Sequence, residues 1–176
     1  HYNAMRELSR RVPDNAVIVA DTGGNVITFA HAFETKAGQT YFTSNGNTPM
    51  GFALSGAIGA WFANPSRPVI CIIGDGGFQF NIQELQTIKH YGCDIKVFIF
   101  NNKILGNTKS FQIENFDGRY VACGPDGYST PDFLSVAHAY GLMAIRLGVN
   151  GDMGGIPALL RVPEAVIVDV VHENFC

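Results

Sequence analysis

Two short polar segments, each directly after an apolar run, carry the side chains best suited to chemistry. The first is GDGG at residues 74–77, and the second is the asparagine pair at residues 101–102. Glycines let backbone N–H groups approach a phosphate closely, and a following helix N-terminus adds a favourable dipole. An aspartate at the same place would repel a phosphate unless it held a divalent cation that the phosphate also contacts. Mg²⁺ prefers oxygen ligands, which Asp75 and an asparagine side chain can supply.

The GDGG segment also fits simpler interpretations. A glycine-rich strand end is often a tight turn, and an aspartate there often caps the next helix. Gly74 and Gly76 begin like the dinucleotide fingerprint GxGxxG, but position 79 is Gln and Asp75 would face the pyrophosphate. The chain has no GxxxxGK[ST] segment, which excludes a P-loop. On its own, the segment leaves a turn and a phosphate site both open.

The elements that must position these segments follow from four continuously apolar runs rich in β-branched residues. The runs are residues 16–20, 68–73, 95–100 and 165–171. Such runs are typical of strands buried on both faces of a parallel sheet. Helical patterns lie between them, so we predict an α/β fold: a three-layer, doubly wound, mostly parallel sheet with helices on both faces.

The spacing of the two segments fits one strand–helix–strand step of that fold. Asp75 and Asn102 are 27 positions apart (102 − 75). Because the intervening helix returns the chain, both residues are predicted at the same sheet edge, where ligands of open parallel sheets bind.

The helical patterns have recognisable ends. We predict helices at residues 4–11, from Pro49 to 63, at 81–91 before Gly92, from Pro131 to 140 after a Thr130 cap, and at about 152–161. Residues 103–130 are predicted to form a long irregular loop, and such loops in compact domains tend to be functional.

Composition limits the class of protein. At 176 residues, 47% hydrophobic and 15% charged, the chain can build one sizeable core. A net charge of −3 without a basic run gives no support for binding nucleic acid or an anionic membrane, and the apolar stretches are too short to span a bilayer. The four cysteines show no CxxC spacing, which favours a reducing cytoplasm over a disulfide framework or a zinc site; they are Cys71, Cys93, Cys123 and Cys176.

The two ends of the chain suggest a piece of a larger protein. Residue 1 is His, with no signal pattern after it, and the sequence stops after VVHENFC. We therefore expect residues 1–176 to be a single domain from a longer multidomain chain.

Several segments resemble one enzyme superfamily. GDG followed by paired asparagines at this interval is similar to the diphosphate and metal motif of thiamine-diphosphate enzymes. The segments GDGGFQFNIQELQTIKHY, IKVFIFNN, MGFALSGAIGA and FDGRY resemble the acetolactate-synthase-like branch of 2-oxo-acid decarboxylases and carboligases. The resemblance covers nearly the whole chain, but only the C-terminal, diphosphate-binding domain of those enzymes.

This resemblance implies thiamine diphosphate and Mg²⁺ as cofactors. The Mg²⁺ ligands it implies are the side chains of Asp75 and Asn102 and the backbone carbonyl of Ile104. The cofactor-binding residues it implies around them are Gly74, Gly76, Gly77 and Leu105, with Gly76 and Gly77 donating N–H groups to the diphosphate. Some relatives also bind FAD through a middle domain, which no residue in this sequence supports.

Two further segments match parts of the family's cofactor site. DTGGN resembles the first diphosphate loop, which implies that Gly24 and Asn25 lie near the phosphates; a helix cap is the alternative for Asn25. NTPMG resembles the segment under the cofactor's rings. There, Met50 would force the bent shape of the cofactor, and the Thr48 carbonyl would accept a hydrogen bond from the pyrimidine amino group. A core methionine is the alternative for Met50.

The resemblance places two more residues near a substrate. Phe111 and Gln112 correspond to positions that line the substrate pocket, and loop packing is their alternative. His31, His90, His138 and His172 form no recognisable cluster and receive no role.

The resemblance implies no catalytic residue within this chain. The catalytic glutamate of the family lies on a pyrimidine-binding domain of the same or a neighbouring chain. We therefore expect this chain to be inactive alone and the intact protein to be a homodimer or homotetramer that acts on a 2-oxo acid.

A simple decarboxylase is one alternative of the same class to an acetolactate-synthase-like lyase or transferase, and three further alternatives stay open. The first is the β-type subunit of a split decarboxylase of the sulfopyruvate or phosphonopyruvate type. The second is a non-catalytic binding or oligomerisation module, which is expected to lack Asp75 or Asn102. The third is a nucleotide-binding regulator, which predicts binding of ATP or NAD instead.

Overall fold

The computed structural model describes residues 2–148 and 153–172 of the chain, and across them six strands form one sheet. The strands are β1 (Val17–Ala20), β2 (Thr40–Phe42), β3 (Val69–Gly74), β4 (Ile95–Asn101), β5 (Met143–Gly148) and β6 (Val166–Val171). Their order across the sheet is β2-β1-β3-β4-β6-β5, and every pairing is parallel. The four predicted strands are confirmed as β1, β3, β4 and β6.

Helices connect the strands. They are α1 (Tyr2–Arg11), α2 (Gly24–Ala32), α3 (Phe52–Ala63), α4 (Asp75–Phe80), α5 (Leu85–Tyr91), α6 (Gly106–Asn115), α7 (Phe133–Ala139) and α8 (Ile156–Leu159). Short 3₁₀ turns precede α5 at Ile82–Glu84 and α8 at Met153–Gly155. Within the described ranges, no helix has the length and apolar character needed to cross a membrane.

The sheet separates two hydrophobic cores. Successive side chains of a strand point to opposite faces, so Cys71 and Ile73 pack on one side while Ile70 and Ile72 pack on the other. Helices α3, α5 and α7 cover the first face, and α1, α2 and α8 cover the second. This arrangement confirms the predicted three-layer α/β fold.

The two edge strands, β2 and β5, were not predicted. β2 has only three residues, and both strands are partly exposed, so neither forms a continuous apolar run. The three cysteines in the described residues, Cys71, Cys93 and Cys123, are free and buried, while Cys176 lies outside those residues.

Several predicted helix ends were wrong. Gly51 has φ +88°, a left-handed conformation that stops the helix from starting at Pro49, so α3 begins at Phe52. Asp132, rather than Thr130, caps α7 by accepting a hydrogen bond from the Ser135 N–H at 2.9 Å.

Three other segments also differ from the prediction. The pattern at 81–91 divides into a 3₁₀ turn and α5, which ends at Gly92 as predicted. Residues 103–130 are not wholly irregular, because they contain α6. Of the predicted helix at 152–161, the described part is the turn at 153–155 and α8, and Asp152 lies outside the described residues.

Candidate functional site

A cavity of about 350 Å³ opens at the carboxyl ends of β1, β3 and β4. The chain passes from β1 to β2 on one side and then to β3 on the other, so its direction across the sheet reverses between β1 and β3. Ligands of open α/β sheets bind at such a reversal. The cavity walls include all eleven residues for which a cofactor or metal role was expected: Gly24, Asn25, Thr48, Met50, Gly74, Asp75, Gly76, Gly77, Asn102, Ile104 and Leu105. The structure brings these residues together, while the role of each stays a prediction.

Three helices begin at this cavity without a side-chain cap. The N-cap residues of α2, α4 and α6 are Gly23, Gly74 and Leu105, and none of them makes a side-chain capping hydrogen bond. The first residues of all three helices line the cavity. Backbone N–H groups at a helix start have no partner within the helix, and together with the helix dipole they favour an anion.

Asp75 is the first residue of α4 and is buried. Its Oδ1 accepts a hydrogen bond from the Gly76 N–H at 2.8 Å, and its Oδ2 accepts one from the Lys103 N–H at 2.7 Å. Burial raises the pKa of Asp75 to about 6, although both N–H donors lower it. A carboxylate has about four acceptor positions, so these two bonds leave it able to bind a cation.

The two asparagines after the second run separate in the structure. The amide of buried Asn101 donates to Asp169 Oδ1 at 3.0 Å, so this side chain belongs to the sheet interior. Asn102 instead lines the cavity, where its Oδ1 accepts a long hydrogen bond of 3.3 Å from the Ile104 N–H. Only the second asparagine is therefore available to a ligand in the cavity.

The charges around the cavity would not bind an anion unaided. Among the described residues that line it, none is Lys or Arg, whereas Asp21 and Asp75 are acidic. In the described ranges, this cavity included, no group of three or more His, Cys, Asp or Glu is placed to hold a metal. A cation here would need one carboxylate completed by amide, carbonyl and phosphate oxygens, which is the way Mg²⁺ is usually bound.

Two glycines of the GDGG segment leave no room for a side chain. A Cβ on Gly76 would lie 2.8 Å from Leu105 Cδ2 and 2.9 Å from Met50 Cε. A Cβ on Gly74 would lie 2.8 Å from Asn25 Nδ2. Asn25 is in the first turn of α2 while Gly23 is its N-cap, so the helix-cap alternative for Asn25 is wrong.

Asp21 is a site residue that the sequence analysis did not single out. It follows β1 and is buried, and burial raises its pKa. Its Oδ2 accepts a hydrogen bond from the Gly51 N–H at 3.0 Å, and its Oδ1 accepts one from the Ala53 N–H at 3.1 Å. A Cβ on Gly77 would lie only 2.0 Å from Asp21 Oδ2, so this carboxylate fills the space beside Gly77.

Two ring side chains of the site were also missed. His172 lines the cavity just after β6, and burial lowers its pKa to about 4, which keeps the ring neutral. Tyr128 accepts a hydrogen bond from Gln79 Nε2 at 3.0 Å, and burial together with the nearby Asp75 carboxylate raises its pKa. His172 directly follows the apolar run at residues 165–171, so the strand-end rule that located Asp75 and Asn102 could have found it. Tyr128 lies in the irregular segment after α6, where no pattern marks it.

Phe111 and Gln112 do not line the cavity. Phe111 is exposed and packs edge-on against Phe116. Gln112 Oε1 accepts a hydrogen bond from the Val121 N–H at 2.7 Å. Their observed contacts are those of the loop-packing alternative.

Comparison with known proteins agrees with the geometry. Residues 21–170 match the family model described as thiamine pyrophosphate enzyme, C-terminal TPP binding domain. The acetolactate synthase large subunit of Cyanidium caldarium is 34% identical over 168 residues, which are 95% of this chain and 28% of that protein. Acetolactate synthase isozyme 1 large subunit of Escherichia coli K12 is 31% identical over 174 residues, covering 98% of this chain and 29% of that one.

A third relative is the probable acetolactate synthase large subunit of Methanococcus aeolicus. It is 39% identical over 133 residues, covering 76% of this chain and 22% of the relative. The chain thus spans less than a third of the length of each of these relatives.

Proposed function

Because this chain belongs to the thiamine pyrophosphate enzymes, as a C-terminal TPP-binding domain resembling that of acetolactate synthases, we propose that it binds the diphosphate of thiamine diphosphate through Mg²⁺. The observation that carries the proposal is the placement of Asp75 among three uncapped helix starts in a cavity without Lys or Arg. The helix starts favour a phosphate, and the carboxylate requires a cation between itself and that phosphate.

The Mg²⁺ ligands in this proposal are the Asp75 carboxylate, the Asn102 side-chain oxygen and the Ile104 carbonyl. All three residues line the cavity. Lys103 lies between Asn102 and Ile104 and has φ +59°. Its N–H donates a hydrogen bond that holds the Asp75 carboxylate in place. Strained backbone of this kind is often found at ligand sites.

The rest of the cavity suits the remainder of the cofactor. Gly74, Gly76 and Gly77 bring the backbone close to the diphosphate, and Gly24, Asn25 and Leu105 complete that wall. Met50 offers an apolar surface for the rings, and Thr48 offers its carbonyl. When bound, thiamine diphosphate supplies the electron sink that decarboxylation or joining of 2-oxo acids requires.

The reaction proposed for the intact protein is decarboxylation or carboligation of a 2-oxo acid in the cytoplasm. The activating glutamate would come from a pyrimidine-binding domain of the same or a neighbouring chain in a homodimer or homotetramer. Asp75 and Asn102 both line the cavity, which argues against a non-catalytic module.

Isothermal titration of this chain with thiamine diphosphate tests the binding proposal. We expect heat of binding in the presence of Mg²⁺ and none in EDTA. Binding that is equally tight in EDTA would contradict the metal role, and binding of ATP or NAD in preference would favour a nucleotide regulator.

A pyruvate decarboxylation assay tests the second part of the proposal. We expect no turnover by this chain alone, because the residue that activates the ring would lie on another domain. Turnover by the isolated chain would overturn that view.

A further inference from the structure

The peptide at Gly51 is held from both sides by side chains of different elements. Its N–H donates to Asp21 Oδ2 at 3.0 Å, and its carbonyl accepts from Asn81 Nδ2 at 2.9 Å. Asp21 follows β1 and Asn81 follows α4, so two elements that flank the cavity meet at one peptide. We call Asp21, Gly51 and Asn81 the Gly51 clamp.

The backbone at Gly51 allows no other residue. Its φ of +88° is in the left-handed region, which side chains rarely adopt. A Cβ there would lie 3.0 Å from both Asn81 Nδ2 and the Gly77 carbonyl oxygen. The close packing against Gly77 joins the segment before α3 directly to the GDGG corner.

The Asp21 carboxylate also occupies the start of α3. It accepts a second hydrogen bond, from the Ala53 N–H at 3.1 Å. The start of α3 is therefore satisfied by a carboxylate from another element, whereas the Gly76 N–H of α4 donates to Asp75 of the same helix. A buried carboxylate without a basic partner is expensive, and here its hydrogen bonds and the helix dipole offset that cost.

The clamp fixes the position of the segment that carries Thr48 and Met50. Met50 immediately precedes Gly51, and its Cε lies 2.9 Å from the place of a Cβ on Gly76. The clamp thus sets the distance between the surface offered to the cofactor's rings and the corner offered to its diphosphate. Asn81 does this from outside the cavity, whereas Asp21 also lines it.

We propose that Asp21 and Asn81 are positioning residues, which fix the ring-binding segment through Gly51, and that Asn81 does so from outside the cavity. This inference rests on the proposed function. It means that the contacts of Gly51 position the part of the cavity proposed for the cofactor's rings, while other contacts position the part proposed for its diphosphate.

Two probes distinguish the two ends of the cavity. Thiamine diphosphate contacts both ends, whereas inorganic pyrophosphate reaches only the diphosphate corner. Both are titrated with Mg²⁺ into the wild-type chain and into Asn81→Ala, with Asn64→Ala as a control, because Asn81 does not line the cavity whereas Asp21 lines it beside Gly77. Asn64 is an exposed asparagine after α3 whose side chain accepts hydrogen bonds from Ser66.

We expect Asn81→Ala to bind thiamine diphosphate about 10-fold more weakly and to bind pyrophosphate within about 2-fold of wild type, since roughly one hydrogen bond to the Gly51 carbonyl is lost. The Asn64→Ala control should change neither affinity. Thermal unfolding followed by circular dichroism confirms that each variant is folded at the titration temperature.

Different failures have different meanings. If both affinities fall together, or neither changes, the positioning role is overturned while the proposed function stands. If the wild-type chain binds neither probe, the proposed function fails, and the clamp inference fails with it.

Discussion

Asp21 and Asp75 are two buried carboxylates at the carboxyl ends of the neighbouring strands β1 and β3, yet they are used differently. Asp21 accepts hydrogen bonds from Gly51 and Ala53, which lie 30 and 32 positions away, and it closes the start of α3. Asp75 accepts hydrogen bonds from Gly76 in its own helix and from Lys103, 28 positions away, and the N-cap residue Gly74 adds no side-chain cap to α4.

The comparison shows that burial alone does not identify a ligand site. Burial raises the pKa of both carboxyl groups, so that property does not separate them. Both residues line the cavity, and what separates them is their packing: the Asp21 carboxylate fills the space beside Gly77, whereas Asp75 accepts a hydrogen bond from Lys103, the neighbour of Asn102 and Ile104 in the cavity wall. The Asp21 carboxylate connects the end of β1 to the start of α3, whereas the Asp75 carboxylate is available to a cation.

The largest expected effect is on cofactor affinity when Asp75 is replaced. Asp75→Ala should weaken Mg²⁺-dependent binding of thiamine diphosphate at least about 100-fold, or about 2.7 kcal/mol. Its loss of stability should be smaller than that of Asp21→Ala, because the Gly76 and Lys103 N–H groups that lose their acceptor lie beside the cavity, where water can replace it. Asp14→Ala is the control for titration calorimetry, because Asp14 precedes β1 at the opposite edge and its side chain is 79% exposed. Equal affinity of the two variants would remove the distinction between Asp75 and an ordinary surface aspartate.

The second-largest effect is expected on stability when Asp21 is replaced. Asp21→Ala should lower the free energy of unfolding by about 2 kcal/mol, because two buried N–H groups lose their acceptor. Urea unfolding followed by circular dichroism measures this loss. An equal loss of stability in Asp75→Ala would contradict the view that Asp21 stabilises the fold more than Asp75 does.

A smaller effect is expected in a double-mutant cycle between Asp21 and Gly77. Gly77→Ala places a methyl group against the Asp21 carboxylate and should cost about 1–3 kcal/mol. With Asp21 replaced by Ala, the same change should cost at least about 1 kcal/mol less, because the clashing oxygen is gone.

Gly24→Ala is the matched control for that cycle, since a Cβ on Gly24 meets nothing within 4 Å. It should not couple to Asp21. Additive costs for Gly77 and Asp21 would show that the carboxylate does not occupy the space beside Gly77.

The smallest effect is a change in the dependence of stability on pH. Because burial raises the pKa of Asp21 above 3.8, the folded protein keeps this proton to higher pH than the unfolded chain does. The contribution of Asp21 to the free energy of unfolding therefore falls as pH rises from 3.8 through the raised pKa.

Asp21→Asn should remove that slope. The difference between urea unfolding of wild type and variant across this pH range isolates Asp21, since Asp75 and His172 titrate in both proteins. If the free energies of unfolding of the two proteins changed with pH in the same way, the pKa of Asp21 would not be raised by folding.

The position of Asp75 near Asn102 could be predicted from sequence, whereas the contacts of Asp21 could not. Asp75 and Asn102 each follow a long apolar run, and the helix between them has a clear stop at Gly92, so their meeting follows from parallel-sheet geometry. Asp21 also follows an apolar run, but its partners Gly51 and Ala53 lie across the irregular residues before α3. No local pattern encodes that pairing.

The elements that were missed lack the pattern on which prediction depends. α4 begins with Asp-Gly-Gly, which is poor in helix propensity, and it is stabilised by packing of residues such as the buried Phe78. α6 has no fully buried residue, so its sequence has no apolar stripe to reveal it. The edge strands β2 and β5 lack a fully buried run for the same kind of reason.

The absence of buried residues in α6 also has a consequence for hydrogen exchange. A helix of 10 residues is only marginally stable by its own hydrogen bonds. Its amides should therefore exchange through local opening, while those of β3 and β4 exchange only when the whole sheet unfolds. A cofactor phosphate bound at the start of α6, as proposed, would stabilise only the formed helix, so slower exchange of these amides on adding thiamine diphosphate would measure its binding.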